Sequence, residues 1–199
     1  MKLRNAASAV VLLLTAAASH AHAQSQGNFG LYLNPLATRI SNSKVDPGPY
    51  SFLGPNDTSR MFWGVQMGGY YDFFHSGPLA AGVTVRFSDQ HAANAGMRDF
   101  QVGARVSGAV GTRLRPYVEA TVGDASTKPE KSKVRVSKAA YAVYGGVDYS
   151  LARHVDLRAI EVGYGSVTTV SGATVGQGDG STVSASKLLS FSSGFVFRF

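Results

Sequence analysis

Residues 189–199 read Leu-Ser-Phe-Ser-Ser-Gly-Phe-Val-Phe-Arg-Phe. Counted back from Phe199, every second residue is aromatic or aliphatic except Ser193, and the residues between them are mostly small or polar. A period of two predicts a β-strand with one apolar face. Because an unpaired aromatic edge strand invites aggregation, we expect this strand to have a neighbour on both sides and to face lipid.

The composition points to the same environment. Charged residues make up 16% of the 199 residues, whereas soluble proteins average about 25%. Outside the N-terminal region, no run of apolar residues approaches the roughly 18 that a membrane helix needs. The chain has no cysteine, which excludes a disulfide framework and a thiolate metal site. These features favour a membrane protein that crosses the bilayer with strands.

The N-terminus has the three parts of a secretory signal. Lys2 and Arg4 precede an apolar stretch at residues 6–18, and Ala21-His22-Ala23 forms a small-x-small cleavage site. The sequence therefore predicts a cleaved signal peptide at residues 1–23 and a single mature domain at residues 24–199.

Eight segments of the mature domain alternate between apolar and polar or small residues, as membrane strands do. They cover residues 29–40, 60–74, 79–88, 98–110, 116–123, 134–150, 155–165 and 189–199. The apolar parity changes between Ala159 and Ile160, which predicts a β-bulge there. Connections after strands one, five and seven are long, the one after strand three is medium, and the rest are short. This rhythm predicts an all-β fold, an eight-stranded antiparallel up-and-down transmembrane β-barrel.

A soluble barrel with an apolar interior is the rival interpretation. Glycines on the polar faces suit a crowded interior better than a solvated surface, and aromatic residues eight apart would span about 20 Å of the membrane normal. Both observations favour the membrane barrel. The predicted aromatic girdle consists of Trp63, Tyr71, Phe73, Phe87, Tyr141 and Tyr149.

In an eight-stranded barrel the inward side chains just fill the interior. The predicted polar network of the lumen consists of Gln66, Asp72, Arg86, Gln101, Arg105 and Glu119, with Arg158 and Glu161 as further candidates. We expect Arg86 and Arg105 to pair with Glu119, because an unmatched buried charge is costly. A lumen filled in this way predicts no steady ohmic pore.

A basic stretch follows the fifth strand and is predicted to lie in a surface loop. Its cations are Lys128, Lys131, Lys133, Arg135 and Lys138. Such a run could bind lipopolysaccharide phosphates or another polyanion, or it could simply be a solvated loop.

The signal peptide, the eight-strand rhythm and the closing Phe195-Val196-Phe197-Arg198-Phe199 resemble the small outer-membrane β-barrel proteins of the OmpA-transmembrane-domain and OmpX type. The resemblance implies an outer-membrane location in a Gram-negative-type bacterium, with long loops extracellular and short turns periplasmic. It also implies that Phe195, Phe197 and Phe199 form the signal read by the barrel-assembly machinery. The implied partners are periplasmic chaperones, outer-membrane lipids and lipopolysaccharide. A monomer without nucleic-acid partners is expected.

Barrels of this kind include lipid A acyltransferases and deacylases, so an enzyme is an alternative. Ser88-Asp89-Gln90-His91 brings a hydroxyl, a carboxylate and an imidazole together in sequence, and nucleophilic catalysis needs such a base beside the hydroxyl. No G-x-S-x-G motif is present, and polar residues are ordinary in a loop. We therefore expect a protein that is not an enzyme, has no cofactor, and has a structural or surface-interaction role. A passage route for small apolar molecules is the other alternative.

Overall fold

The computed structural model describes residues 28–45, 51–54, 56–130, 135–170 and 185–199. Its strands are β1 (Phe29–Ser41), β2 (Ser59–Ser76), β3 (Leu79–Ala92), β4 (Ala95–Gly108), β5 (Leu114–Lys128), β6 (Val136–Ala152), β7 (Val155–Val167) and β8 (Ser186–Arg198). Each strand pairs antiparallel with its neighbours in sequence, and β8 pairs with β1 to close the barrel. The predicted eight-stranded up-and-down barrel is confirmed. Among the described residues, no helix has the length and hydropathy to span a bilayer.

The alternation of side chains divides every strand between the interior and the outer wall. On β3, Val83 and Val85 are exposed on the outer wall, whereas the alternate residues Thr84 and Arg86 are buried. Successive side chains of a strand point to opposite faces, so this sequence pattern produces an apolar outer wall and a polar interior. Exposure of so many large apolar side chains to water would be unfavourable, and lipid removes that cost.

The terminal strand closes the wall. Phe195 and Phe197 on β8 lie opposite Leu33 and Leu31 on β1, and Phe199 donates its backbone N–H to the carbonyl of Phe29 at 2.8 Å. β7 pairs with the other edge of β8. The predicted neighbours on both sides of this strand are therefore present, and the barrel has no free edge.

The two ends of the barrel differ in their connections. The short-turn end carries the turns at residues 77–78, 109–113 and 153–154 together with the start of β1 and the end of β8. The long-loop end carries the connections at residues 42–58, 93–94, 129–135 and 168–185. Gly77 and Gly111 have φ of +57° and +63°, a conformation that glycine adopts without steric cost in tight turns.

Two connections at the long-loop end are shorter than predicted. The medium connection at residues 89–97 is a two-residue turn at Ala93 and Asn94, because β3 and β4 remain paired up to Ala92 and Ala95. The charged loop expected from residue 124 begins later, because β5 continues to Lys128. β3 and β5 both continue beyond the apolar zone, with polar residues on their outer face. The alternation of apolar residues in the sequence therefore ends before the hydrogen-bonded pairing does.

Irregularities in the strand pairing change which residues face inward. The register shifts between Arg158 and Glu161 in the pairing of β7 with β8, which confirms the bulge predicted at Ala159 and Ile160. A second shift, between Asp72 and Phe74 on β2, was not predicted. It exposes the adjacent residues Phe73 and Phe74 together, and His75 then lines the mouth of the interior.

Candidate functional site

Charged side chains from neighbouring strands meet in the middle of the barrel. Arg86 donates from Nε to Glu119 at 2.7 Å and from both terminal nitrogens to Glu161. Arg105 donates from Nη1 to the other oxygen of Glu119 at 2.6 Å. These side chains are at most 2% exposed. A lone charge at this depth would be costly, so each side chain can be buried in its charged form only because an oppositely charged side chain lies beside it.

Glu161 is the most heavily hydrogen-bonded acid of this network. Besides Arg86, it accepts hydrogen bonds from Arg158 at 3.1 Å, the Tyr117 hydroxyl at 2.6 Å and the Gln66 amide at 3.0 Å. The Ser192 hydroxyl adds a further hydrogen bond at 2.9 Å. Arg158 also donates from Nε to Asp148 at 2.9 Å. Strands β2, β3, β5, β7 and β8 are thus tied to one carboxylate.

Tyrosine rings cover the faces of the arginines. The guanidinium of Arg105 lies 4.0 Å from the ring centres of both Tyr70 and Tyr117, and that of Arg86 lies 3.7 Å from Tyr144. Two further contacts join Arg158 to Tyr32 and Tyr117, at 4.4 and 4.5 Å. A desolvated cation over an aromatic face gains about 2 kcal/mol. Sequence reasoning did not identify these tyrosines as lumen residues, because aromatics in a membrane strand are expected outside. The alternation of the strand could have identified them, because Tyr144 lies an even number of residues from Asp148 and therefore on the same face of β6.

Glycines of the wall make room for these rings. A Cβ at Gly146 would lie 2.7 Å from Cζ of Tyr117, and one at Gly68 would lie 2.5 Å from Cζ of Tyr32. Both distances are shorter than any real carbon contact. The inward glycines therefore form shallow recesses into which the tyrosines pack, and a larger residue would displace the rings from the arginines.

All six residues predicted for the lumen network lie inside the barrel, and none is more than 6% exposed. They are Gln66, Asp72, Arg86, Gln101, Arg105 and Glu119. Gln101 accepts hydrogen bonds from Thr121 at 2.5 Å and Tyr144 at 3.3 Å. Asp72 is the exception to the close pairing, because its nearest cationic atom, Arg105 Nε, is 3.9 Å away. Asp148 is a network member that sequence reasoning did not include.

An apolar layer lies inside the barrel on the long-loop side of the charged network. Its larger members are Ile40, Phe52, Leu53, Phe62, Met97, Val167, Val170 and Leu188. Phe52 comes from the β1–β2 connection and stacks on Phe62 of β2, with ring centres 4.7 Å apart and planes 9° from parallel. Val170, from the β7–β8 connection, donates its N–H to Thr127 Oγ1 at 2.8 Å. Sequence reasoning did not predict this layer, because part of it comes from loops.

The residues considered for catalysis are divided between the two faces of β3. Ser88 is buried inside the barrel, where its hydroxyl donates to Asp99 and accepts from Gln90. His91 is exposed on the outer wall, 3.6 Å from Asp89. Because residues three apart on a strand point to opposite faces, the imidazole of His91 cannot act as a base for this hydroxyl. Within the described residues, no group of three His, Cys, Asp or Glu side chains is placed to hold a metal ion.

Three of the five predicted basic-loop residues belong to the described chain. Lys128 ends β5, Arg135 precedes β6, and Lys138 lies within β6. Lys131 and Lys133 lie outside the described residues.

Outward-facing residues of β3 and β4 extend this basic surface. A methyl group at Gly96 would lie 3.7 Å from His91 Nδ1 and 4.0 Å from Arg135 Nη2, so these side chains face one another across the glycine. Arg98 donates to Asp89 at 3.0 Å beside them. We call His91, Arg98, Lys128 and Arg135 the basic rim. His91 and Arg98 were not predicted as part of it, because only strand pairing brings them to the end of β5.

The aromatic residues predicted for the girdle are distributed along the outer wall. Trp63, Tyr71, Phe73, Phe87 and Tyr141 are exposed there, whereas Tyr149 is half-buried and accepts a hydrogen bond from Arg113 at 3.0 Å. Trp63 and Tyr141 lie toward the long-loop end, and Tyr71, Phe73 and Tyr149 lie toward the short-turn end. The C-terminal residues Phe195, Phe197 and Phe199 are exposed on the same wall, beside the seam where β8 pairs with β1.

Comparison with solved structures identifies the fold. The Neisserial surface protein A aligns with a TM-score of 0.57 and 18% identity, over 88% of this chain and all of that one. By fold, the chain is a small eight-stranded outer-membrane β-barrel. Ail, the attachment invasion locus protein of Yersinia pestis, aligns with a TM-score of 0.51 and 15% identity, over 88% of this chain and all of Ail. No protein-family model matches the sequence, and no curated protein matches it either. The fold and the apolar outer wall agree with the predicted location in the outer membrane of a Gram-negative-type bacterium.

Proposed function

We propose that this chain is a closed, non-catalytic outer-membrane barrel that contributes to envelope structure or surface interaction. Its long-loop end faces the outside and its short turns face the periplasm. The observation that supports a closed interior is the succession of two filled layers, the charged network and the apolar layer. The positions of Ser88 and His91 on opposite faces support the absence of catalysis by that pair.

Planar-bilayer recording tests the closed interior. The refolded barrel is expected to show no stable conductance, because ions would have to cross a packed apolar layer after the ion-pair network. A barrel that carries Phe52→Ala and Phe62→Ala serves as the comparison, since it removes the stacked pair from that layer. Large, steady single-channel currents from the unmodified barrel would contradict the proposal.

Lipid A analysis tests the alternative of a lipid-modifying enzyme. Mass spectra of lipid A from cells with and without the protein are expected to match. A new acylation or deacylation product that survives Ser88→Ala would point to a different nucleophile, and one that Ser88→Ala abolishes would overturn the non-catalytic interpretation.

The interaction surface that we favour is the basic rim. Phe87 and Phe100 face each other across β3 and β4 on the outer wall, and Asp89 with Arg98 is the next outward pair toward the long-loop end. An anionic headgroup at this level can meet cations while its acyl chains pack on the aromatic wall. We assign the phosphates of outer-leaflet lipopolysaccharide to this position.

Binding of purified lipopolysaccharide to the detergent-solubilised barrel tests this assignment. The variant Arg98→Gln/Arg135→Gln is expected to bind several-fold more weakly, and the difference is expected to shrink as salt screens the charges. The control is Arg113→Gln/Arg153→Gln, which removes two exposed cations at the short-turn end. Equal losses in both variants would mean that net charge, rather than the basic rim, governs binding.

The three C-terminal phenylalanines are the proposed recognition signal for the assembly machinery. Their exposure on the wall at the closing strand supports this role, because the signal and the seam are then the same segment. Deletion of Phe199 is expected to lower the fraction of heat-modifiable, membrane-inserted barrel in cells far more than Lys138→Gln does. Normal insertion of the deletion variant in cells would leave Phe199 with a role in the seam alone.

A further inference from the structure

A cavity of about 330 Å³ lies at the short-turn end of the barrel. Its lining includes Asp72 and His75 from β2, Ser107 from β4, and Arg115 from β5. The size is at the lower end of the range of small-molecule sites. The cavity lies at the opposite end of the barrel from the basic rim, and neither the closed interior nor surface binding gives it a role.

Asp72 is an acid without a full set of partners. It is only 6% exposed, and its Oδ1 atom accepts no hydrogen bond. The other oxygen accepts a single long hydrogen bond, 3.5 Å, from the Ser107 hydroxyl. Oδ1 is shielded from solvent and faces Arg105 Nε, so Oδ2 is the oxygen that can accept a hydrogen bond from a ligand in the cavity. Buried carboxylate oxygens are almost always well supplied with donors, so an oxygen with one long hydrogen bond beside a cavity indicates a position for a ligand donor.

The neighbouring arginine is committed elsewhere. Arg105 gives its terminal nitrogens to Glu119 and Asp148, and its guanidinium faces are covered by Tyr70 and Tyr117. Its Nε, 3.9 Å from Asp72, makes no hydrogen bond. Asp72 therefore receives electrostatic attraction from the network but no close cationic donor.

Arg115 is the complementary group of the cavity. It occupies the next inward-facing position of β5 after Tyr117, one step closer to the short-turn end, and it is half-buried. It forms no hydrogen bond or ion pair with another described residue. His75, exposed at the mouth, adds an imidazole to the lining. One cavity thus carries an under-paired carboxylate and an unpaired guanidinium.

We propose that this cavity binds a free α-amino acid, with the ligand ammonium at Asp72 and the ligand carboxylate at Arg115. A simple cation would be repelled by Arg115, and a simple anion would be repelled by Asp72. A small zwitterion satisfies both groups, and charge-assisted hydrogen bonds are the strongest available at such a site. Under the proposed orientation the cavity opens to the periplasm.

Saturation-transfer NMR on the refolded barrel in lipid nanodiscs tests the proposal, with L-alanine as the probe. Saturable binding with a Kd on the order of 1 mM is expected for a ligand of this size. Alaninamide lacks the carboxylate and N-acetylalanine lacks the ammonium, so each is expected to bind about tenfold more weakly or worse.

Two substitutions separate the recognition of the two ends of the ligand. In Arg115→Gln, alanine should lose its advantage over alaninamide, and in Asp72→Asn it should lose its advantage over N-acetylalanine. Arg113→Gln, at the exposed turn outside the cavity lining, is the matched control and should bind alanine normally. Should Asp72→Asn fail to fold, Arg115→Gln still decides the question. Absence of saturable alanine binding, or preferences unchanged by both substitutions, would overturn the proposal without affecting the conductance or lipopolysaccharide tests.

Discussion

The two layers of the barrel interior are stabilised by different physical means. In the middle, Arg86, Arg105 and Arg158 are buried against Glu119 and Glu161, and each charge is stabilised chiefly by its charged partners. Toward the long-loop end, Phe52 stacks on Phe62, and the described members of the apolar layer are held together by packing. The charged layer depends on pairing, so loss of one member leaves another unmatched. The apolar layer depends on volume, so loss of one member leaves a cavity.

The layers also differ in how they are built. Every arginine and acid of the network is on a strand, so the barrel wall fixes its position. The apolar layer takes Phe52, Leu53 and Val170 from connections, and these can adjust when a neighbour is removed. We therefore expect substitutions in the charged layer to have the larger effects.

The largest expected effect belongs to Glu161→Gln. This substitution leaves Arg86 and Arg158 short of a counter-charge, and breaking a buried ion pair costs about 3 to 5 kcal/mol. The free energy of unfolding in urea can be followed through Trp63, the single tryptophan, because it lies on the outer wall and its fluorescence reports the loss of lipid contact. Glu130→Gln is the matched control, since Glu130 pairs with Arg60 at 2.7 Å but is 36% exposed, and it should cost about 1 kcal/mol or less. Equal costs for the two substitutions would show that burial does not govern the network.

Phe62→Ala is expected to cost about 3 kcal/mol, the lower part of the range for a large-to-small core substitution. The lower value follows from the loop residues, which can partly fill the space. Phe62→Leu nearly keeps the volume and should cost under about 1.5 kcal/mol. The same urea titration measures both variants. If Phe62→Ala lowered the free energy of unfolding more than Glu161→Gln does, the ranking of the two layers would be wrong.

Sequence patterns predicted the features that depend on strand alternation. Arg86, Arg105 and Glu119 could be assigned to one interior because a period of two fixes the face of each residue. The bulge of β7 was visible because the apolar parity changes at Ala159 and Ile160. Phe52 could not be placed, because alternation says nothing about a loop that folds back into the barrel. The hydrogen-bond partners of Asp72 depend on the side-chain conformations of residues on other strands. A pattern within one strand therefore cannot predict them.

The glycine recesses give a smaller and sharper test. Gly146→Ala places a methyl group about 2.7 Å from Tyr117 Cζ and 2.8 Å from the Ile160 carbonyl, so the ring must leave the arginines or the wall must move. Overpacking of this kind costs about 1 to 3 kcal/mol. Gly145→Ala is the matched control one residue earlier, where the nearest atom lies 4.0 Å away. We expect it to be neutral or slightly stabilising, because alanine reduces the freedom of the unfolded chain. Comparable losses from both substitutions would mean that strand propensity, rather than the tyrosine recess, sets the cost.

The smallest effect concerns a single hydroxyl of the charged layer. Tyr117→Phe keeps the ring over Arg105 and Arg158 but removes the 2.6 Å hydrogen bond to Glu161, a loss of about 1.5 kcal/mol for a bond to a charged acceptor. Tyr32→Phe keeps a ring over Arg158 in the same way, and the Tyr32 hydroxyl makes no hydrogen bond in the described chain, so its removal should change the unfolding free energy little. The difference between the two variants isolates the hydrogen bond from the ring contact. A similar loss in both would mean that the Tyr32 hydroxyl also has a partner, such as ordered water, and that the charged layer is hydrated rather than dry.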